Sequence, residues 1–225
     1  TVEDAVARLD SKNPAVVTGL PVRGEIVSAD RDFARAQLGI GDKPLVLSFG
    51  GSLGAEPINK AMYDILVKNA ESSKYYHIHS VGTNGGEYLD KFEKAGFENG
   101  RKGTVEVRKY IDNMDVCMAA ADLVIGRAGA SSISEIEALG KASILIPSPY
   151  VAENHQYHNA MALVKRNAAR IIEEKELTSQ RLETVMDEIL SNHEELAEIE
   201  KNAKSMAITD ATDRISDIIV SLVKK

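Results

Sequence analysis

Pro44-Leu45-Val46-Leu47-Ser48-Phe49-Gly50-Gly51-Ser52-Leu53-Gly54-Ala55 is the stretch on which the reading of this chain turns. Its first half is a short, mostly apolar run of the kind that forms a strand buried on both faces. The glycine-rich half permits a tight turn and close backbone approach. Residues 57–70 follow with a helical pattern in which Ile58, Ala61, Met62, Ile65 and Leu66 recur at i, i+3, i+4, i+7 and i+8. That spacing makes one apolar stripe, suited to covering a sheet face. Strand, small-residue loop and amphipathic helix together form one unit of a parallel α/β sheet.

The same alternation recurs on both sides of this unit. Residues 75–81, 105–111, 123–125, 143–146 and 170–172 read as strands, and each but the last precedes a helical pattern. Upstream, residues 2–9 read as an amphipathic stretch, and residues 15–18 as a short strand before a Gly19-Leu20-Pro21 breaker. Residues 31–38 read as a helix stopped at Gly39. Three helical segments close the chain, at about 178–191, 194–206 and 210–223. In the last, Ile215, Ile218, Ile219 and Leu222 form an apolar stripe that must pack against something. The expected fold is α/β, a Rossmann-like doubly wound parallel sheet with C-terminal helices.

Composition bounds the function. The 225 residues are 44% hydrophobic and 27% charged, a globular balance, and 27 basic against 34 acidic residues leave a formal charge of −7. No overall excess of positive charge is present to neutralise nucleic-acid phosphates, so nucleic acid is not an expected partner. The single cysteine, Cys117, cannot form an internal disulfide and reads as a buried small apolar group in a reducing compartment. No secretory signal and no apolar run of about 18 residues is present. The opening at Thr1, without an initiator methionine, suggests a fragment cut from a longer chain.

Three loops carry the candidate chemistry. Gly50-Gly51-Ser52-Leu53-Gly54 sits between strand and helix, where free helix-start amides can hold an anion, or where glycines serve only a tight turn. It is not a P-loop, because no Gly-Lys-Ser/Thr follows, and the strand ending near Gly82 lacks the acidic residue of a dinucleotide site. Gly126-Arg127-Ala128-Gly129-Ala130-Ser131-Ser132-Ile133-Ser134-Glu135 is a second loop of the same kind. Two such loops at strand ends of one sheet point to a diphosphate-containing ligand in a shared crevice. Ser132 and Glu135 also fit a capping box, so Glu135 reads either as a cap or as a ligand for a ribose diol. The third loop, Pro147 to Ala160, carries Asn154, His155, Gln156 and Asn159, residues suited to sugar hydroxyls. His155 and His158 lack the further ligands that a metal site needs, and no metal or cofactor is expected. Arg23 reads as a phosphate or carbonyl partner, or as a solvated charge.

Taken in order, Gly19-Leu20-Pro21-Val22-Arg23, Gly50-Gly51-Ser52-Leu53-Gly54-Ala55, Tyr110-Ile111-Asp112-Asn113-Met114, Arg127-Ala128-Gly129-Ala130 with Ser134-Glu135, Ile146-Pro147-Ser148-Pro149, Asn154-His155-Gln156-Tyr157-His158-Asn159-Ala160 and Asp210-Ala211-Thr212 resemble the carboxyl-terminal half of the MurG family. Its members are peptidoglycan N-acetylglucosaminyltransferases of the GT-B superfamily. The resemblance runs over essentially the whole chain, and the motifs are specific as a set. It implies the donor half of an inverting, metal-independent hexosyltransferase, which moves N-acetylglucosamine from UDP-N-acetylglucosamine to undecaprenyl-pyrophosphoryl-muramyl-pentapeptide. Carried over by position, Arg23, Gly51, Ser52 and Ile111 contact UDP, with Ile111 using its backbone on the uracil. Ala130, Ser131 and Ser132 serve the diphosphate and sugar, Glu135 the ribose, and His155 and Gln156 the N-acetylglucosamine. Some members carry Gln at the position of His155 and Leu at that of Ser131.

The resemblance also implies a division of the chain. Residues 1–22 are the tail of an amino-terminal acceptor domain with its linker, 23–206 the UDP-sugar domain, and 207–225 a helix that packs on the acceptor domain. The catalytic residues are expected in that other domain, not in this chain. The enzyme is expected in the cytoplasm, at the cytoplasmic face of the cell membrane, with this half inactive alone. Alternative readings are the donor subunit of a split transferase, a related UDP-sugar glycosyltransferase or epimerase, and a non-enzymatic scaffold.

Overall fold

The structure, a computed structural model, describes residues 15–223. The amphipathic stretch expected at 2–9 lies outside them.

Two helices, α1 (Gly24–Val27) and α2 (Arg31–Leu38), precede the first strand. Asp30 caps α2 by accepting from Phe33 N at 2.8 Å, and Gly39 ends it in the left-handed conformation. The quoted stretch forms β1 (Leu45–Phe49) and leads into α3 (Glu56–Ser72). Next come β2 (Tyr76–Ser80), α4 (Gly86–Lys94), β3 (Arg101–Lys102), β4 (Val105–Arg108) and α5 (Met114–Ala120). The second half runs β5 (Leu123–Gly126), α6 (Ala130–Leu139), β6 (Ala142–Leu145), α7 (His155–Val164) and β7 (Arg170–Ile171). Helices α8 (Ser179–Ser191), α9 (His193–Ser205) and α10 (Ala211–Val223) follow.

The strands make one sheet in the order β3-β4-β2-β1-β5-β6-β7, with only β3 antiparallel. From β1 the chain moves outward through β2 to β4, then returns through β5 to the other side of β1. The winding direction therefore reverses between β1 and β5, whose C-terminal ends lie in register with Phe49 opposite Gly126. Open α/β sheets place their ligand crevice at such a point.

Each face of the sheet is covered by helices. Ile58, Met62 and Leu66 of α3 are fully buried and pack with Val46, Leu123 and Leu182. On the opposite face, Leu45, Leu47 and Val124 pack with Cys117 and Met118 of α5 and Ile136 of α6. The expected stripe and the doubly wound parallel sheet are both present.

Two local expectations are corrected. Residues 15–18 are not a strand, because no sheet edge lies alongside them to complete a ladder, and Val16 is 68% exposed. The run 105–111 leaves the sheet after Arg108, where Ser80 Oγ takes the carbonyl of Lys109 at 3.2 Å, so Ile111 lies in a loop. The two-residue strand β3 had no periodic signal at all. The stripe of α10 is only partly packed, with Ile219 and Leu222 exposed at 55% and 66%.

A buried polar cluster makes stability depend on pH. Ser48 Oγ lies between His77 Nε2 at 2.8 Å and His79 Nδ1 at 2.7 Å, all three residues fully covered. The remaining ring nitrogens, His77 Nδ1 and His79 Nε2, have no hydrogen-bond partner. Burial pushes both imidazoles down, His77 well below the usual range and His79 to about 4. The unfolded chain takes up protons below about pH 6.5 while the native state does not, so the stability is whole above 6.5 and is lost as pH falls toward 4. His79 alone should cost about 2 kcal/mol at pH 5 relative to pH 7.5. Thermal melts of the unaltered chain and of His79→Gln at the two pH values check this, because Glu137, whose carboxyl burial pushes up to about 7, works in the opposite direction in both; the same pH dependence in the two would mean that His79 is not held neutral.

Candidate functional site

The loop after β1 is fixed by contact with the loop after β2. Gly54 has φ +86°, and a Cβ placed on it would fall 2.1 Å from Val81 O. A Cβ on Gly82, at φ +82°, would fall 2.1 Å from Gly54 N. Backbone thus packs directly on backbone, which only glycine permits. Thr83 N donates to Ser52 O at 3.0 Å and Asn84 N to Leu53 O at 3.1 Å, while Asn59 Nδ2 holds Val81 O at 2.9 Å.

Above this stitched pair lies a cleft of about 240 Å³. Six of the residues expected from sequence line it: Arg23, Gly51, Ser52, Ile111, Ser132 and Glu135. Phe49, Ser80, Tyr110, Asp112 and Met114 complete the wall and were not among the expected site residues. Four of these five flank the Ser52 and Ile111 motifs in sequence, a signal that could have found them. Ser80 has none, since it enters only because β2 pairs with β1.

The capping reading of Glu135 is excluded. Helix α6 starts at Ala130 with Gly129 at the N-cap position, so Ser132 and Glu135 stand inside the helix and form no capping box. Glu135 instead accepts from Arg23, at 3.1 Å from Nη2 and 3.3 Å from Nε. Arg23 is therefore not a lone solvated charge. Gly129 has no side chain to cap the helix start, and the first turn holds no acidic residue, so the amides of Ala130, Ser131 and Ser132 keep their affinity for an anion.

The sequence that builds this cleft matches a known family. Residues 45–215 match the glycosyltransferase family 28 C-terminal domain. The chain belongs to this family. A protein of Acetivibrio thermocellus named "UDP-N-acetylglucosamine--N-acetylmuramyl-(pentapeptide) pyrophosphoryl-undecaprenol N-acetylglucosamine transferase" is 41% identical over 99% of the chain. One of the same name from Desulforamulus reducens is 37% identical over 100% of it. The chain spans 59% and 60% of the length of these two relatives. The crystal structure of Acinetobacter baumannii MurG superposes with a TM-score of 0.68 at 27% identity, covering 93% of this chain and 58% of that one. WaaG, a glycosyltransferase involved in lipopolysaccharide biosynthesis, shares the fold, with a TM-score of 0.63 at 18% identity over 89% of this chain and 55% of its own.

Four expected residues of this family 28 domain are not in the cleft wall: Ala130 and Ser131, which open α6 next to Ser132, and His155 and Gln156, which stand at a different helix start. His155 and Gln156 open α7. They follow Glu153 and Asn154, which take left-handed φ of 52° and 51°. Gln156 Oε1 accepts from Ser148 N at 3.0 Å, and His155 Nδ1 lies 3.0 Å from Ala152 O. Next to them is a hollow of about 250 Å³ under Pro147, Tyr150 and Tyr157. Among the described residues, no three His, Cys, Asp or Glu are grouped to hold a metal ion. Cys117 of the family 28 domain is fully covered, and burial pushes its thiol up to about 11, as an inert core residue requires.

Proposed function

We propose that this domain binds UDP-N-acetylglucosamine in the switch-point cleft, as the donor half of a transferase that glycosylates a lipid-linked muramyl acceptor. The observation that carries the reading is the convergence of Arg23, Ser52, Ile111 and Glu135 on one cleft beside the uncapped start of α6. Each group has a task that its chemistry suits. The helix-start amides and the positive end of α6 take the diphosphate, with Arg23 released from Glu135 to add its charge. Glu135, as an acceptor-only carboxylate, takes the vicinal hydroxyls of the ribose. Ile111 offers its backbone groups to the uracil edge, beside the half-exposed ring of Tyr110. The sugar then extends toward the 147–156 loop, where Gln156 and His155 stand.

Transfer itself needs the acceptor and a base held against the sugar, and proximity is worth several orders of magnitude in rate. That part falls to the portion of the relatives that this chain does not span. Residues 23–206 are then the donor domain. Residues 1–22 and 207–225 connect it to that portion, and the exposed Ile219, Leu222 and Val223 of α10 are the surface on which it packs. The complete enzyme works at the cytoplasmic face of the membrane, where a lipid-linked acceptor is reached without a spanning helix. Among the described residues no helix is long and apolar enough to cross.

Calorimetry with UDP and UDP-N-acetylglucosamine tests the reading. Both should give saturable heat with the folded chain, and other UDP-sugars should compete less well than UDP-N-acetylglucosamine. No heat at millimolar ligand would overturn it. The exposed face of α10 equally suits a donor subunit docking on a separately encoded acceptor half, and the upstream reading frame separates the two.

A further inference from the structure

Arg127 belongs to a motif at the end of β5, yet it does not line the cleft. Its Nη1 donates to Ile146 O, just past β6, at 3.1 Å. Its Nη2 meets Glu174 Oε2, beyond β7, at 2.5 Å, a charge contact rather than an aligned hydrogen bond. The two side chains are only 14% and 12% exposed. One guanidinium thus ties together the exits of three neighbouring strands. Asn159 adds a second tie, with Nδ2 donating from α7 to Ala128 O at 3.2 Å.

The segments held this way are the two that matter for a nucleotide sugar. Residues 127–130 aim the first-turn amides of α6. Residues 147–156 begin where Arg127 grips Ile146 O and end at Gln156, itself fixed by Ser148 N. Left-handed Glu153 and Asn154 interrupt this loop, and Tyr150 on it is 88% exposed, so the loop's own contacts define its position weakly.

We propose that Arg127, with Glu174, is a positioning residue that sets where the 147–156 loop stands relative to the start of α6, and so selects for the sugar end of the donor. The proposal rests on the donor reading above. The planar fork of a guanidinium holds two acceptors at once in fixed geometry, whereas the compact ammonium of a lysine, on a flexible stem, does not fix the two relative to each other. Loss of either contact lets the loop shift, and a hydrogen bond to a sugar hydroxyl weakens steeply once distance or angle departs from its narrow optimum. Arg23, Ser52, Ile111 and Glu135 lie outside the Arg127 contacts, and Asn159 still holds Ala128 O ahead of the α6 amides, so the nucleotide end changes much less than the sugar end.

The test is calorimetry of UDP and UDP-N-acetylglucosamine on the unaltered chain, Arg127→Lys and Glu174→Gln, with a thermal melt of each. In both variants UDP affinity should stay within about threefold, while the advantage of UDP-N-acetylglucosamine over UDP falls by about tenfold, or vanishes if it was smaller. Equal weakening of the two ligands would mark a general structural role and overturn the proposal. So would an unchanged preference in a folded variant, or an unaltered chain that binds both ligands equally. Glu174→Gln, which keeps the side-chain shape, decides the matter if Arg127→Lys does not fold. Failure of both to fold makes the pair a requirement of the fold and also overturns it. An unaltered chain that binds neither ligand instead overturns the donor reading itself.

Discussion

Glu135→Ala is expected to lower UDP affinity about 100-fold while leaving the melting temperature nearly unchanged. The carboxylate is 16% exposed in the cleft wall, and a ribose diol presents two hydroxyls that both donate to it. Hydrogen bonds to a charged group contribute about 1.5–3 kcal/mol each, and the pair with Arg23 that ligand displaces offsets part of this. A net loss near 2.7 kcal/mol, or about 100-fold, follows. Stability has little to lose. The Arg23 side chain is 56% exposed, and such solvent-screened pairs contribute between about 0 and 1 kcal/mol. Calorimetry and a thermal melt on the same sample separate the outcomes. Unchanged affinity would remove Glu135 from the ligand site.

Gly54→Val is expected to cost at least about 4 kcal/mol, enough to prevent folding or to abolish UDP binding in what does fold. Positive φ at +86° costs a β-branched residue roughly 1–3 kcal/mol by itself. The larger part is steric, because a Cβ 2.1 Å from Val81 O overlaps a backbone atom that Asn59 and the sheet hold in place. Gly51→Ala is the control. It has a similar φ of +90° but no heavy atom within 4 Å of the new Cβ, so only the conformational strain of roughly 1–2 kcal/mol remains. Urea denaturation of both variants measures the difference. Equal losses would mean that the contact between the two loops does not set the cost.

Much of the fold was legible because its signals are local. The run 44–49 is short, mostly apolar and ended by glycines, and the stripe from Ile58 to Leu66 follows the 3.6-residue period that a helical backbone imposes whatever surrounds it. Residues 15–18 misled for the same reason. A β-branched run shows that the chain can extend, but a strand needs a neighbouring edge, and none lies there. The candidate site was legible where its residues sit in or beside the glycine-bearing turns after strands, as Gly51 and Ser52 do. Ser80 was not, because its place in the wall comes from β2 pairing with β1 in register.

By itself, then, the sequence determined that this is an α/β chain with small-residue loops at the ends of its strands, since those features depend on residues within a few positions of one another. Only the tertiary structure decided that Glu135 faces Arg23, 112 residues away, instead of capping its own helix. It alone decided that Gln156 stands outside the cleft, and that Arg127 joins three strand exits. These are contacts between segments distant in the chain, and the order in which the strands pair sets them, an order that no local period contains.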